Sequence, residues 1–423
     1  MLRDASPQSR TLNRTEFVLL CLFSIALPLV EAPKNIFWAL FLLLWIGRSA
    51  YTRNWGHLSR GWDLLFVGLI LVPTLSCLLT PYSPQWKEMG DIVGYVSLGW
   101  ILARSRLTPD QLKWLFASLI GATIAGVVHG FAVMQLDPKR VWLQLNSVGH
   151  VNHSALYAAG IGILATACAA LSASRFGRRA WQWSVLSATF MLAAMIIFGS
   201  RGALIAYLFG ALPVLLILSN VRLQRLLPVI AGLMVAGVLV GVIGSKLSPS
   251  KGNLSIVEKT EIGIKTGNFS SFRLQSLQTA IELMHQNPLT GAGPANFNAA
   301  SPELVRTWVE ARQETFQRER YFFSSHAHGL FANTLGERGL LGEGILLTLL
   351  IGWTIALLRR RPARDASFSH ALSWGAGFAG WSVVFVGGLF NTTLHHEHGM
   401  LAMMGLGLLL ALDVRSKASQ KPD

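Results

Sequence analysis

Charge is what this chain has little of. Of its 423 residues only 13% are Asp, Glu, Lys or Arg, while 52% are hydrophobic and the mean hydropathy is +0.45. A soluble protein carries about a quarter charged residues, so that class is excluded. Cysteine is scarce as well. Cys21, Cys77 and Cys168 each fall inside an apolar run, and no pair has metal-ligand or redox spacing, so they read as small packing residues. There is no Walker loop and no Gly-x-Ser-x-Gly elbow, which removes phosphate-loop and serine-hydrolase chemistry. An Asp-x-Asp pair is also missing, and no internal repeat is evident.

The apolar residues are gathered in runs of the length that crosses a bilayer, about 20 residues. Twelve spans are drawn near 17–33, 35–47, 62–80, 88–103, 111–133, 152–172, 181–199, 202–219, 226–244, 340–358, 368–390 and 398–413. Backbone in lipid must be hydrogen-bonded internally, so runs of this length predict α-helices. The first follows Arg10 and Arg14, as a signal peptide would, but it continues into a second span after a short Glu31-Ala-Pro-Lys34 turn and is read as a membrane helix. The expected fold class is an all-α integral membrane protein with about twelve transmembrane helices. Its organisation would be helices 1–9 over 1–244, a loop domain over 245–327, and helices 10–12 with a tail over 328–423.

The net charge of +15 would suit a nucleic-acid partner, but its distribution reads otherwise. One set of connections carries 21 basic residues, among them Arg3, Arg48, Arg104, Arg175, Arg222, Arg359 and Arg415. The short connections of the opposite set carry five: Lys34, Lys87, Lys139, Arg140 and Arg201. Positive charge stays inside, so the first set and both termini are expected in the cytoplasm, with no nucleic acid needed.

That assignment sends the long segment 245–327 to the outer side. Within it, Leu274, Leu277, Ile281 and Met284 recur at helical spacing after Ser270-Ser-Phe-Arg273, predicting a helix to about Met284. Asn287-Pro-Leu-Thr-Gly-Ala-Gly293 would end it with turn residues. Ser301-Pro-Glu-Leu then reads as an N-cap with proline in the first turn, opening a second helix. Its face would be Leu304, Val305, Trp308, Val309 and Phe316, apolar enough to lie on the membrane or to cover a cavity.

Three outer residues carry the chemistry best. Arg201 sits in the tight Gly199-Ser-Arg-Gly202 connection, Arg273 opens the first loop helix, and His328 opens the helix that re-enters the membrane. A guanidinium presents a fork of donors matched to phosphate oxygens, and an imidazole moves protons near neutral pH. Together they suit an anionic, lipid-linked substrate. Each also has a plainer reading: Arg201 as a boundary arginine that snorkels, Arg273 as a solvated loop residue, His328 as a structural group with His326 as the base instead. Glu337 and Arg338 lie at the membrane edge, where charge is costly; Glu337 would pair with an arginine or orient a substrate. His395, His396, Glu397 and His398 form another outer cluster, read as interfacial, with metal ligation the alternative. A diphosphate can be neutralised by Mg²⁺ or by arginines. With arginines on offer, metal-independent chemistry without a cofactor is expected.

With these residues in hand, the chain resembles the O-antigen ligase and O-antigen polymerase superfamily. Ser200-Arg201-Gly202 looks like the family's Ser-Arg-Gly at the start of a span. Arg273, followed by Asn287-Pro-Leu-x-Gly-x-Gly293, looks like the loop arginine and its downstream Pro-Leu-x-Gly turn. His328 to Gly342 matches the pattern His-(Asn)-x-x-Leu-x-x-Leu-x-Glu-x-Gly-x-x-Gly in part: Leu335, Glu337, Gly339 and Gly342 fall in place, while Gly329 stands where the family has Asn.

The resemblance implies a GT-C-type membrane glycosyltransferase of the bacterial inner membrane working at its periplasmic face. Its donor would be a glycan on undecaprenyl diphosphate and, for the ligase, its acceptor a sugar hydroxyl of lipid A–core oligosaccharide. It implies Arg201 and Arg273 as diphosphate-binding residues and His328 as general base. O-antigen polymerase and protein O-oligosaccharyltransferase share that donor; the late, large outer loop leans towards ligase. A polysaccharide transporter would bury charges mid-span, and the spans here are nearly free of them.

Overall fold

Runs of apolar residues have become helices nearly everywhere in the computed structural model, which describes residues 10–137, 140, 142–175, 177–219 and 272–412 with scattered positions between 220 and 271. In chain order the helices are α1 (Arg14–Leu29), α2 (Glu31–Thr52), α3 (Arg60–Leu79), α4 (Trp86–Ala103), α5 (Pro109–Leu136), α6 (Val151–Arg175), α7 (Gly177–Phe198), α8 (Arg201–Leu218), α9 (Arg273–Gln286), α10 (Pro302–Ala311), α11 (Leu330–Arg359), α12 (Phe368–Trp381) and α13 (His396–Leu410). A π-helical turn, Ser382–Val386, extends α12. The one β pairing among the described residues joins β1 (Arg10–Thr11) in parallel to β2 (Ser105–Arg106).

Six of these helices, α3, α5, α6, α7, α8 and α11, are long and apolar enough to cross a membrane. Eleven of the twelve expected spans coincide with helices; the span at 226–244 lies outside the described residues. One boundary differs. Glu31-Ala-Pro-Lys34 is the first turn of α2, and the break comes earlier, at extended Val30 (φ −145°, ψ 122°). Pro33 is tolerated there because the first turn of a helix has no intrahelical acceptor for its N–H groups.

Small residues set how closely the helices approach. α6 is almost wholly enclosed, with Ala155, Ala158, Ala159, Ala165 and Ala167 inaccessible to solvent. A Cβ on Gly405 would come within 2.4 Å of the Ala376 carbonyl, and one on Gly407 within 2.6 Å of the Gly99 carbonyl. Glycine there lets α13 lie backbone to backbone against α12 and α4, the contact on which helices in lipid rely when burial drives nothing. Trp353 and Trp374 fill the gaps between α11 and α12, their indole N–H groups donating to Gly377 and Leu357 carbonyls.

The polar contacts sort into two ends of the bundle. At one, Glu16 is fully buried and takes both Arg10 and Arg48, while Arg104 pairs with Asp63. At the other, Lys34 pairs with Glu397, and a small separate core gathers Ala280, Leu283, Phe297, Val305, Val309 and Tyr321 from α9, α10 and their connections. Both predicted loop helices are present. α9 ends at Gln286, and Ser301 caps α10 by accepting from Leu304 N. Val305 and Val309 are buried in this core rather than laid on a surface, and Leu304 is exposed. Phe316 lies beyond the end of α10, stacked on Tyr321 at 5.5 Å. The two-residue turn at Arg312 and Gln313, the latter with φ 62°, stops the helix before the pattern runs out.

Candidate functional site

α11 is two helices in one. Gly339 has φ 60° and ψ −159°, so the hydrogen-bond ladder breaks there. Such a break leaves carbonyls orphaned on one side and N–H groups on the other. The loop Asn287–Gly293 supplies both kinds of partner. Leu340 N and Leu341 N donate to Pro288 O (2.8 Å) and Leu289 O (3.1 Å), and Gly336 O and Glu337 O accept from Ala292 N (2.9 Å) and Gly293 N (2.8 Å). The fit leaves no room for side chains: a Cβ on Gly339 would sit 2.6 Å from the Leu289 carbonyl, and one on Gly291 2.5 Å from the Glu337 carbonyl carbon. The Pro-Leu-x-Gly-x-Gly and Glu-x-Gly-x-x-Gly patterns are therefore two halves of one joint.

That joint aims the first half of α11, and His328 stands just before it. The backbone on which His328 rides is pinned from two sides. Ala327 N donates to Asn333 Oδ1 (3.1 Å), and Ala327 O accepts from Thr392 Oγ1 (2.9 Å). Its ring lies against Phe322 (centroids 5.7 Å) and edge-on to His326 (4.9 Å). Phe322 stacks in turn on Phe272 at 5.0 Å, and its backbone is tied in both directions to Thr279 Oγ1 on α9. Phe272 holds φ 64°, an uncommon conformation for an aromatic residue, at the point where α9 begins.

Arg273, the next residue, donates from Nε (3.1 Å) and Nη2 (2.9 Å) to Phe390 O, with its guanidinium 5.4 Å from the Phe390 ring. Phe390 also explains the third residue of Ser200-Arg201-Gly202. A Cβ on Gly202 would meet Phe390 Cβ at 2.5 Å, so glycine lets the start of α8 close on Phe390 and brings Arg201 to the same place. A cleft of about 700 Å³ results, lined by Arg201, Arg273 and His328 together with Asn152, Ser200, Phe390 and Asn391. The three residues singled out in the sequence thus face one cavity.

Its electrostatics favour a neutral imidazole. Burial first, then the Arg273 and His150 charges, pull His328 below the usual histidine value. Burial and Arg201 together lower Arg273, a sign of two guanidiniums sharing one volume. A cleft with two cations and a proton acceptor suits a diphosphate beside a hydroxyl that must be deprotonated.

The supporting residues are placed differently. His326 does not line the cleft; it turns to the other side of His328, where burial and neighbouring imidazoles push it down to about 4. Glu337 is 3% exposed, with its carboxyl beside the Asn333 side chain and the Ala295 backbone N–H. It belongs to the joint, and no ion pair with Arg338 is found among the described residues. Arg338 points instead toward Tyr95 and Glu88 of α4. His395 and His396 meet Glu88 and Asp91 at 3.1 and 3.2 Å. No group of three or more His, Cys, Asp or Glu among the described residues has the geometry to hold a metal ion. Sequence reasoning missed Asn152, Phe390 and Asn391 in the cleft and Asn333 beneath it. Asn152 left a trace as the polar first residue of the expected span 152–172, and Asn333 lies within the His328–Gly342 pattern.

Comparison with known families gives one match. Residues 186–349 fit the family model described as O-antigen ligase, a stretch that contains Arg201, Arg273, His328 and both halves of the joint. The resemblance to the O-antigen ligase superfamily rests on this match as well as on the motifs. No curated protein matches the chain.

Proposed function

We propose that this chain, which carries the O-antigen ligase domain over 186–349, is a glycosyltransferase of GT-C type with about twelve spans and both termini cytoplasmic. It would move a glycan from undecaprenyl diphosphate to a sugar hydroxyl of lipid A–core oligosaccharide at the periplasmic face of the inner membrane. The observation that supports this reading most is the convergence of Arg201, Arg273 and His328 on one cleft, joined to a helix that enters the apolar bundle. The lipid tail of the donor lies among the spans, and its diphosphate sits between the two guanidiniums.

Neutral His328 takes the proton of the acceptor hydroxyl as the oxygen attacks the anomeric carbon. The bond from that carbon to the diphosphate oxygen breaks, and undecaprenyl diphosphate leaves with the electron pair. Attack opposite the leaving group inverts the anomeric centre. Proton removal by a placed base is worth about 10²–10⁴-fold in rate. Negative charge grows on the leaving diphosphate, and Arg201 and Arg273 stabilise it without a metal ion. Asn152 and Asn391 offer amides to sugar hydroxyls at the cleft wall.

The test is transfer by purified protein in liposomes from lipid-linked glycan to lipid A–core, with and without EDTA. Ligase activity predicts capped lipid A–core and no growth of the donor glycan. Growth of the donor glycan instead would assign the chain to polymerase chemistry, and transfer to a serine of a protein acceptor to protein O-oligosaccharyltransferase. Activity lost to EDTA and regained with Mg²⁺ would overturn the metal-free route.

A further inference from the structure

Behind His328, away from the cleft, lies a run of imidazoles drawn from three parts of the chain. His326 is edge-on to His328 at 4.9 Å; His153, near the start of α6, is 6.5 Å from His326; His395, just before α13, is 5.7 Å from His153. The run ends where His395 Nε2 meets Glu88 Oε1 at 3.1 Å. His398 and His396 flank His153 at 4.9 and 6.0 Å, and His150 lies 6.1 Å from it. Rings at these spacings are close enough for water to bridge between them. His153 Nδ1 and His395 Nδ1 are buried without a protein hydrogen-bond partner among the described residues, and buried polar atoms of that kind take a water.

The two ends of the run differ in charge. The cleft end holds Arg201 and Arg273. The far end holds Glu88 and Asp91, partly exposed and set against His395 and His396. Arg338 offsets part of that negative charge, and Glu397 is neutralised by Lys34. A proton taken up by His328 makes a third cation beside Arg201 and Arg273 in a half-buried site, which is unfavourable. The field across the imidazoles carries it away from the guanidiniums and toward the carboxylates.

We propose that His326, His153 and His395 form a proton exit that clears His328 after each transfer, drawn toward His395 by the Glu88 carboxylate paired with it. This rests on the reading of His328 as the base. None of the three rings touches the substrate; they act through His328. In each turnover the proton from the acceptor hydroxyl passes to His328, then along the imidazoles to His395, which is partly exposed beside Glu88, and from there to water. No net charge accumulates, and the cleft is reset for the next donor.

The experiment is multiple-turnover transfer by His326→Gln and Glu88→Gln, each checked for wild-type folding by thermal melting, in buffers with and without added imidazole. With the exit cut, kcat falls by up to about 10²-fold, KM for the donor is unchanged, and free imidazole restores kcat in both variants while leaving wild type unaffected. Rates that are unchanged, or lowered and indifferent to imidazole, would overturn the exit. Glu88→Gln keeps the test open should His326→Gln not fold, since it leaves every ring in place. Wild type that transfers while His328→Ala does not, with both exit variants at full rate, would sink the exit and leave the enzyme reading standing. Wild type that transfers no glycan would sink both.

Discussion

Two polar regions share one end of this bundle, and they use similar residues differently. The cleft has His328 between two guanidiniums; the cluster behind it has His153, His326 and His395 facing carboxylates. Arginines beside an imidazole keep it neutral and ready to take a proton, whereas a carboxylate at hydrogen-bond distance favours the protonated imidazole. Position relative to fixed charge, more than residue type, separates the proposed base from its neighbours. His326 and His328 are two residues apart, and His326 was the rival to His328 in the sequence, yet only His328 lines the cleft.

The comparison breaks first at His328. His328→Ala should lower even first-turnover transfer by about 10²–10⁴-fold, while His326→Ala slows only later turnovers. Equal first-turnover losses from both would erase the distinction. Next are the arginines. Arg201→Ala or Arg273→Ala should cost about 10²–10³-fold in kcat, the usual cost of removing one preorganised donor from a developing anion. Lysine should not restore Arg273, because two of its donors are engaged with Phe390 O.

Acidity offers a finer contrast. A general base works only above its own pKa. With His328 held below the ordinary histidine value of about 6.5, kcat/KM should stay flat down through that pH and fall only in more acid buffer. An acid limb centred above about 6.5 would mean a base outside the cationic cleft. His326 gives a stability signature with the same sign. Its folded value of about 4 lies under the unfolded one of about 6.5, so between these limits the unfolded chain binds more protons and stability falls as pH falls. His326→Gln should flatten that slope in thermal melts. The smallest effect is on the joint. Gly339→Ala forces a side chain into a φ of 60° against the Leu289 carbonyl. It should lower stability by about 1–3 kcal/mol, read as an earlier melt, and slacken His328 with it.

Much of this was legible in the chain because it is local. Ser301-Pro-Glu-Leu wrote its own helix start, and the periodicity after Arg273 marked α9 correctly to within two residues of its end. The glycines of the two loop patterns announced a special backbone, though not that each needs the other. What stayed hidden depends on residues far apart meeting. Phe390 joins Arg273 to Gly202 although both lie more than a hundred positions before it, and an aromatic residue in an apolar run carries no mark of that duty. His153 lay inside an expected span and Glu88 at the edge of another, so nothing in their neighbourhoods linked them to His395. Phe316 kept the helical pattern after the backbone had turned at Gln313, a case where pattern outlasts structure.

The most direct measurement compares donor binding with transfer in His328→Ala, using labelled glycan on undecaprenyl diphosphate in liposomes. The account predicts that the arginines still hold the donor at wild-type affinity while first-turnover transfer to lipid A–core is lost. Transfer at the wild-type rate, or transfer and donor affinity lost together, would contradict it.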